Sequence, residues 1–140
     1  MAFAVSVSCA GSGAAKDSGK SAVTMISDAD FRTKIYDYVK NPNKWVFAGT
    51  KPAVVDFFAD WCGPCRQIGP YLQALAAEYG DRVAFYKINI DDNQQTASFF
   101  GITSIPMVFV IPVNGDPVPI LGAQPKDNYK AAIENALKSK

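Results

Sequence analysis

The chain contains no histidine. That absence removes serine or cysteine catalysis of the kind that leans on an imidazole base, together with any imidazole-ligated metal site. Strong charge of either sign is also missing. Fourteen Lys and Arg against 13 Asp and Glu leave a net charge of +1, which builds no field able to recruit nucleic acid or an acidic surface. Partners must then be recognised by shape and contacts. No apolar run approaches the length that spans a bilayer, so no transmembrane helix is expected. Three cysteines are too few for a disulfide scaffold, and they divide into one isolated thiol, Cys9, and one close pair, Cys62 and Cys65. The chemistry left is that of thiols, carboxylates and lysines.

What is present describes one globular domain: 140 residues, 49% hydrophobic and 19% charged. Residues 1–21 stand apart from it as a tail, and residues 22–140 form the domain. Met1 to Val7 is apolar and short, and a Gly/Ser/Ala/Lys stretch without hydrophobic period follows Cys9. This start looks like the end of an export signal, although the basic opening and longer apolar segment of a full signal are missing. Cys9 before a flexible spacer resembles the processing site of bacterial lipoproteins, where that cysteine carries the lipid. Ser6 departs from that motif, and a disordered tail with an incidental thiol is the competing reading.

From Ala22 the pattern becomes periodic. Ala22–Ile26 is β-prone, and Ser27-Asp28-Ala29-Asp30 supplies a helix N-cap followed by acids. Phe31, Ile35, Tyr38 and Val39 then predict one helix lasting until Asn41-Pro42-Asn43. The patch from Trp45 to Thr50 reads as core cover or a short edge strand. Ala53–Phe58 is a nearly continuous apolar run, as expected of a strand buried on both faces. Ile68, Tyr71, Leu72, Leu75 and Tyr79 mark a helix from Cys62 to about Tyr79, with Pro70 expected to kink it and Gly80-Asp81 to end it. Val83–Ile90 is the next strand, and a short helix carries Thr96, Phe99 and Phe100. Met107–Ile111 follows Pro106 as a strand, and Asn114-Gly115 turns the chain back into Val118–Leu121. Pro117 and Pro119 confine that last strand to a sheet edge. A final helix spans Lys126 to Leu137, with Tyr129, Ile133 and Leu137 on its apolar stripe. The order β-α-β-α-β-α-β-β-α predicts an α/β fold, a mixed sheet between helix layers.

Trp61-Cys62-Gly63-Pro64-Cys65 carries the chemistry. Two thiols separated by two residues can close a small disulfide, and a helix beginning at the first of them would stabilise a thiolate there through its free N–H groups. Half of a zinc site is one alternative, but the chain offers only Cys9 towards two further ligands, so no metal is expected. A permanently closed structural disulfide is another. Asp56, a carboxylate inside the apolar run of Ala53–Phe58, fits neither alternative. An unpaired buried charge usually neutralises by shifting its pKa, which makes Asp56 a candidate proton carrier. Lys87 alternates with apolar neighbours on its strand and could simply face solvent.

These residues, with Val54-Val55-Asp56-Phe57-Phe58-Ala59 before the pair and Pro70, Lys87, Ile105-Pro106, Asn114-Gly115 and Gly122-Ala123 after it, resemble the thioredoxin family. The resemblance covers roughly Val23 to Leu137 and rests on a series of motifs at the right intervals. It implies the thioredoxin fold, with Cys62 as exposed nucleophile and Cys65 as buried resolving thiol. Asp56 would accept the proton of the resolving thiol, with Lys87 beside it. Ile105-Pro106 would be the family's cis-proline loop. Trp61, Gly63, Pro64, Ile105, Pro106, Gly122 and Ala123 would form a shallow substrate-binding rim around Cys62. Two departures from the family stand out: Phe58 where many members have Trp, and a longer segment from Asn41 to Pro52.

The resemblance further implies a protein-disulfide reductase acting in cell redox homeostasis and electron transport. It would be monomeric, with no cofactor beyond the redox-active disulfide itself. Its partners would be disulfide-containing proteins, plus an upstream thiol reductase or a membrane thiol relay that resets the pair. Gly63-Pro64 is the dipeptide of reducing members. An envelope oxidase or isomerase, and a non-catalytic binding module, are the alternatives. The tail points to the periplasm or cell envelope, with the cytoplasm as the other location and a lipid anchor possible in principle at Cys9.

Overall fold

The computed structural model describes residues 22–139; the expectations placed on residues 1–21, Cys9 among them, lie outside the described residues. Strands β1 (Thr24–Met25), β2 (Ala53–Phe58), β3 (Ala84–Asn89), β4 (Met107–Ile111) and β5 (Val118–Leu121) form one sheet in the order β1-β3-β2-β4-β5. β3 runs parallel to both β1 and β2, whereas β4 pairs antiparallel with β2 and β5 pairs antiparallel with β4. This is the mixed sheet expected, with the Asn114-Gly115 hairpin last and the proline-bearing β5 at an edge.

β2 lies at the centre, and its side chains alternate between two apolar layers. Val54 packs with Ile68, Leu72 and Leu75 of helix α2 (Gly63–Tyr79) and with Tyr129 and Ile133 of helix α4 (Lys126–Lys138). Val55 and Phe57 face the other way, onto Phe31 of helix α1 (Asp28–Lys34) and towards Phe100 of helix α3 (Gln94–Phe100). Each such side chain, fully withdrawn from water, contributes about 1.5–3 kcal/mol. By the same alternation Asp56 shares the face of Val54 and so points towards α2, the helix that carries Cys65.

Helix α1 begins as expected, with a capping box in which the Ser27 side chain accepts from the Asp30 N–H and the Asp30 carboxylate accepts from the Ser27 N–H. It ends earlier than the apolar period predicts. Ile35 leaves helical geometry at φ −121°, and a local turn takes over. There the Asp37 carboxylate accepts from Arg32 Nε (3.1 Å), the Val39 N–H (3.2 Å) and the Lys40 N–H (3.3 Å). A short acidic side chain that bonds the backbone just after it competes directly with helix propagation. Val39 is consequently exposed rather than on a buried stripe.

The long segment between α1 and β2 forms no strand; aromatic packing holds it as core cover. The Tyr36 and Trp45 rings lie 4.6 Å apart, Tyr38 stacks on Phe99 at 4.8 Å, and the Ala48 N–H donates to the Ile35 carbonyl at 2.8 Å. Helix α3 lacks an N-cap side chain of its own. Asp28 supplies it from α1, accepting from the Thr96 N–H (2.9 Å) and hydroxyl (2.6 Å). Asn93 in turn accepts from the Asp28 N–H at 2.9 Å. Helix α2 runs as one element through Pro70 and closes at Gly80, whose φ of +56° suits a residue without Cβ.

Candidate active site

Cys62 is the N-cap of α2: its backbone is extended, and its Sγ accepts from the Cys65 N–H at 3.2 Å. The first helical residues are Gly63 and Pro64, and Pro64 is tolerated because an N–H in the first turn has no intrahelical partner. Cys62 and Cys65 form a disulfide with their Cα atoms 5.3 Å apart. The first sulfur therefore lies among the free N–H groups of a long helix, where negative charge is favoured. Cys65, one turn inside, is buried. Arg66 closes the turn before the helix by donating from Nη1 to the Asp60 carbonyl at 2.7 Å.

The expectation of an exposed Cys62 is corrected by the fold. Cys62 is 4% exposed and Cys65 5%, so in the disulfide form both are buried. Capping turns the Cys62 side chain over the helix end, and the Ile105 carbonyl oxygen covers it at 3.8 Å from Sγ. Trp61 is exposed, at 67%, which rejects core packing as its role. Its indole Nε1–H donates to the Asp91 carboxylate at 2.8 Å, so the ring is tethered despite its exposure.

Opposite the pair, the Ile105-Pro106 peptide bond is cis. The Gly122 N–H donates to the Pro106 carbonyl at 2.8 Å, which joins the turn after β5 to the loop before β4. Gly63 and Pro64 are exposed, Ile105, Gly122 and Ala123 are half-buried, and Pro106 is buried. The fold thus brings the residues of the expected rim to one end of the sheet, from three separate loops.

Beneath the pair, Asp56 is 4% exposed and its Oδ1 has no hydrogen-bond partner. Burial pushes its carboxyl up to about 7, against a smaller downward pull from the Lys87 ammonium. A cavity of about 200 Å³ is lined by Asp56, Cys65 and Lys87 together with Phe58, Ala59 and Gly69. It is roomy enough and polar enough for water, so proton transfer between Asp56 and Cys65 needs no direct contact. Lys87 is the register partner of Asp56 across β2 and β3, and its Nζ lies 5.6 Å from the centre of the Phe58 ring. It is half-buried and lines the same cavity as Asp56.

Asp91 escapes sequence reading because it looks like an ordinary turn acid. Only its bond to Trp61 distinguishes it. Tyr129 escapes for a different reason: its place on the apolar stripe of α4 accounts for the ring and conceals the phenol oxygen.

The family model for thioredoxin matches residues 23–135. The chain is 38% identical over 113 residues to thioredoxin of Borreliella burgdorferi, covering 81% of this chain and 92% of that protein. It is 43% identical over 90 residues to thioredoxin of Alicyclobacillus acidocaldarius, covering 64% and 85%. Among solved structures, chloroplastic thioredoxin z is similar with a TM-score of 0.71 and 24% identity, covering 84% of this chain and 96% of that one, a likeness of fold.

Proposed function

Because the chain belongs to the thioredoxin family, and is accordingly a thiol–disulfide oxidoreductase of the protein-disulfide reductase class, we propose that Cys62 is its nucleophile and Cys65 its resolving thiol. The observation that carries this order is the capping position of Cys62. Its sulfur accepts the Cys65 N–H at the end of a 17-residue helix, which favours the thiolate there over the one buried a turn further in. The redox group is the protein's own disulfide.

In the reduced enzyme the Cys62 thiolate attacks one sulfur of a partner disulfide. An S–S bond forms between the two proteins as the partner's bond breaks, and the partner's first thiolate leaves. Asp56, as carboxylate, then takes the Cys65 proton through the shared cavity. The Cys65 thiolate attacks Cys62 Sγ, closing the intramolecular disulfide and releasing the second partner thiolate. Two electrons have passed to the partner, whose two thiolates take up protons from solvent. Lys87 biases Asp56 towards its ionised form, and Trp61, Gly63, Pro64, Ile105, Pro106, Gly122 and Ala123 contact the partner chain around the attacked bond.

Insulin reduction tests the assignment. Cys62→Ser should abolish turnover, and Cys65→Ser should accumulate a mixed disulfide with the substrate. Full activity in Cys62→Ser would overturn the order of the two thiols. The net direction is a further part of the proposal: the Gly63-Pro64 dipeptide supports reduction, and a strongly oxidising potential of the pair would sink it.

Among the described residues no helix is long and apolar enough to cross a membrane. The proposal of an envelope location, with a membrane thiol relay as electron donor, rests on Met1–Gly11 alone; neither the fold nor the named relatives add support. Mass spectrometry of the mature amino terminus decides it. An intact terminus with an unmodified Cys9 would remove the proposal.

A further inference from the structure

Tyr129 is fully buried at the start of α4, beside Val54 and Val108 in the same apolar layer as Leu72. Its phenol oxygen is occupied on both sides: the O–H donates to the Gly122 carbonyl at 3.1 Å, and the oxygen accepts from the Gln124 N–H at 3.2 Å. The Gly122 N–H meanwhile donates to the Pro106 carbonyl, next to the Ile105 carbonyl that faces Cys62 Sγ. Gly122 has φ +81°, a conformation other residues rarely adopt, so this turn has one particular path to hold. Ala123 lies between the two tethered residues, and among the described residues no hydrogen bond involves its own N–H or C=O. Burial holds the Tyr129 phenol above its ordinary range, so its proton stays in place at neutral pH.

We infer that Tyr129 is a positioning residue for protein substrates: by tying Gly122 and Gln124 from below, its phenol fixes the path on which the Ala123 backbone is presented beside the Ile105-Pro106 loop. The inference rests on the reading that this rim receives the partner chain. An extended segment pairs with backbone groups only if they are held at strand-like spacing, so loosening the turn weakens capture of a polypeptide. A small disulfide, which reaches the sulfur without laying a chain across the rim, does not depend on the turn to the same degree. A purely structural phenol would instead influence stability and leave this discrimination unmoved.

Tyr129→Phe keeps the ring and removes only the oxygen. In steady-state assays of the full-length protein, the ratio of kcat/KM on insulin to that on bis(hydroxyethyl) disulfide should fall about three- to tenfold, the range expected for one lost hydrogen bond, and the loss should lie in KM for insulin. Hydrogen exchange of the Gln124 amide should accelerate while the Ile133 and Ala136 amides keep their protection. An unchanged ratio, an equal loss on both substrates, or a loss carried by kcat would overturn the inference. Failure of the underlying dithiol reading is distinguishable, because the unsubstituted protein would then reduce neither disulfide.

Discussion

Replacing Asp56 by Asn should stabilise the oxidised protein by an amount that grows with pH. The carboxyl ionises at an ordinary value of 3.8 in the unfolded chain and at about 7 in the folded one, because burial penalises the charge more than Lys87 relieves it. Below 3.8 the group is protonated in both states, and the fold carries no penalty from it. Between the two values the unfolded chain binds fewer protons than the folded one, so stability falls as pH rises. Above about 7 both states are ionised, and the penalty is complete. At about 1.4 kcal/mol per pH unit the gap amounts to about 4 kcal/mol. That is a large share of the roughly 5–15 kcal/mol that holds a typical domain together. An Asn side chain does not titrate, and its burial contributes equally at every pH.

Urea unfolding of both oxidised proteins from pH 4 to pH 8.5 would measure this, since the two cysteines are joined and do not titrate. The stability difference between Asp56→Asn and the unsubstituted protein should rise by about 4 kcal/mol across that range and level off above neutrality. A difference that stays constant within about 1 kcal/mol, a shift of less than one pH unit in the folded-state ionisation, would refute the account of a desolvated carboxyl.

Other expectations concern function and packing. Asp56→Ala should slow insulin turnover at neutral pH and remove the rise in rate near pH 7, because the ionised form acts as base; a pH–rate profile superimposable on that of the unsubstituted protein would leave Asp56 a structural role only. Asp28→Ala strips the N-terminus of α3 of its cap and should lower stability by about 1–2 kcal/mol, read from the urea midpoint. Tyr38→Phe removes a buried hydroxyl contact with Thr96 and should cost about 1 kcal/mol by the same measurement. Glu78→Gln breaks an exposed ion pair with Lys130 and should leave the urea midpoint nearly unchanged, because solvent screens such a pair.

Much of this architecture is legible along the chain because it follows from local period. The unbroken apolar run of Ala53–Phe58 identifies a central strand, and Asn114-Gly115 with Pro117 and Pro119 identifies a hairpin ending at an edge. Ser27 and Asp30 identify the start of α1. Its end is less legible: Ile35, Tyr38 and Val39 keep the helical period, whereas Asp37 supplies a competing set of backbone bonds that period does not register. The extra segment before β2 reads as apolar patches. Its conformation depends on Trp45 meeting Tyr36 and Phe47 within the segment, and on Tyr36 and Tyr38 meeting Phe99 and Phe100 of α3, far along the chain.

The sequence by itself determined the chemistry of this protein. Two thiols at redox spacing and a carboxylate within an apolar run point to thiol chemistry, and the series of motifs that resembles the thioredoxin family narrows it to exchange with protein disulfides. Tertiary structure alone decided how those residues meet. The order β1-β3-β2-β4-β5 sets Asp56 and Cys65 on one cavity, turns Ile105 towards Cys62 and hangs the Gly122 turn from the Tyr129 phenol. Such contacts join residues far apart in sequence, and their energies depend on burial and geometry that exist only once the two apolar layers have closed on the sheet.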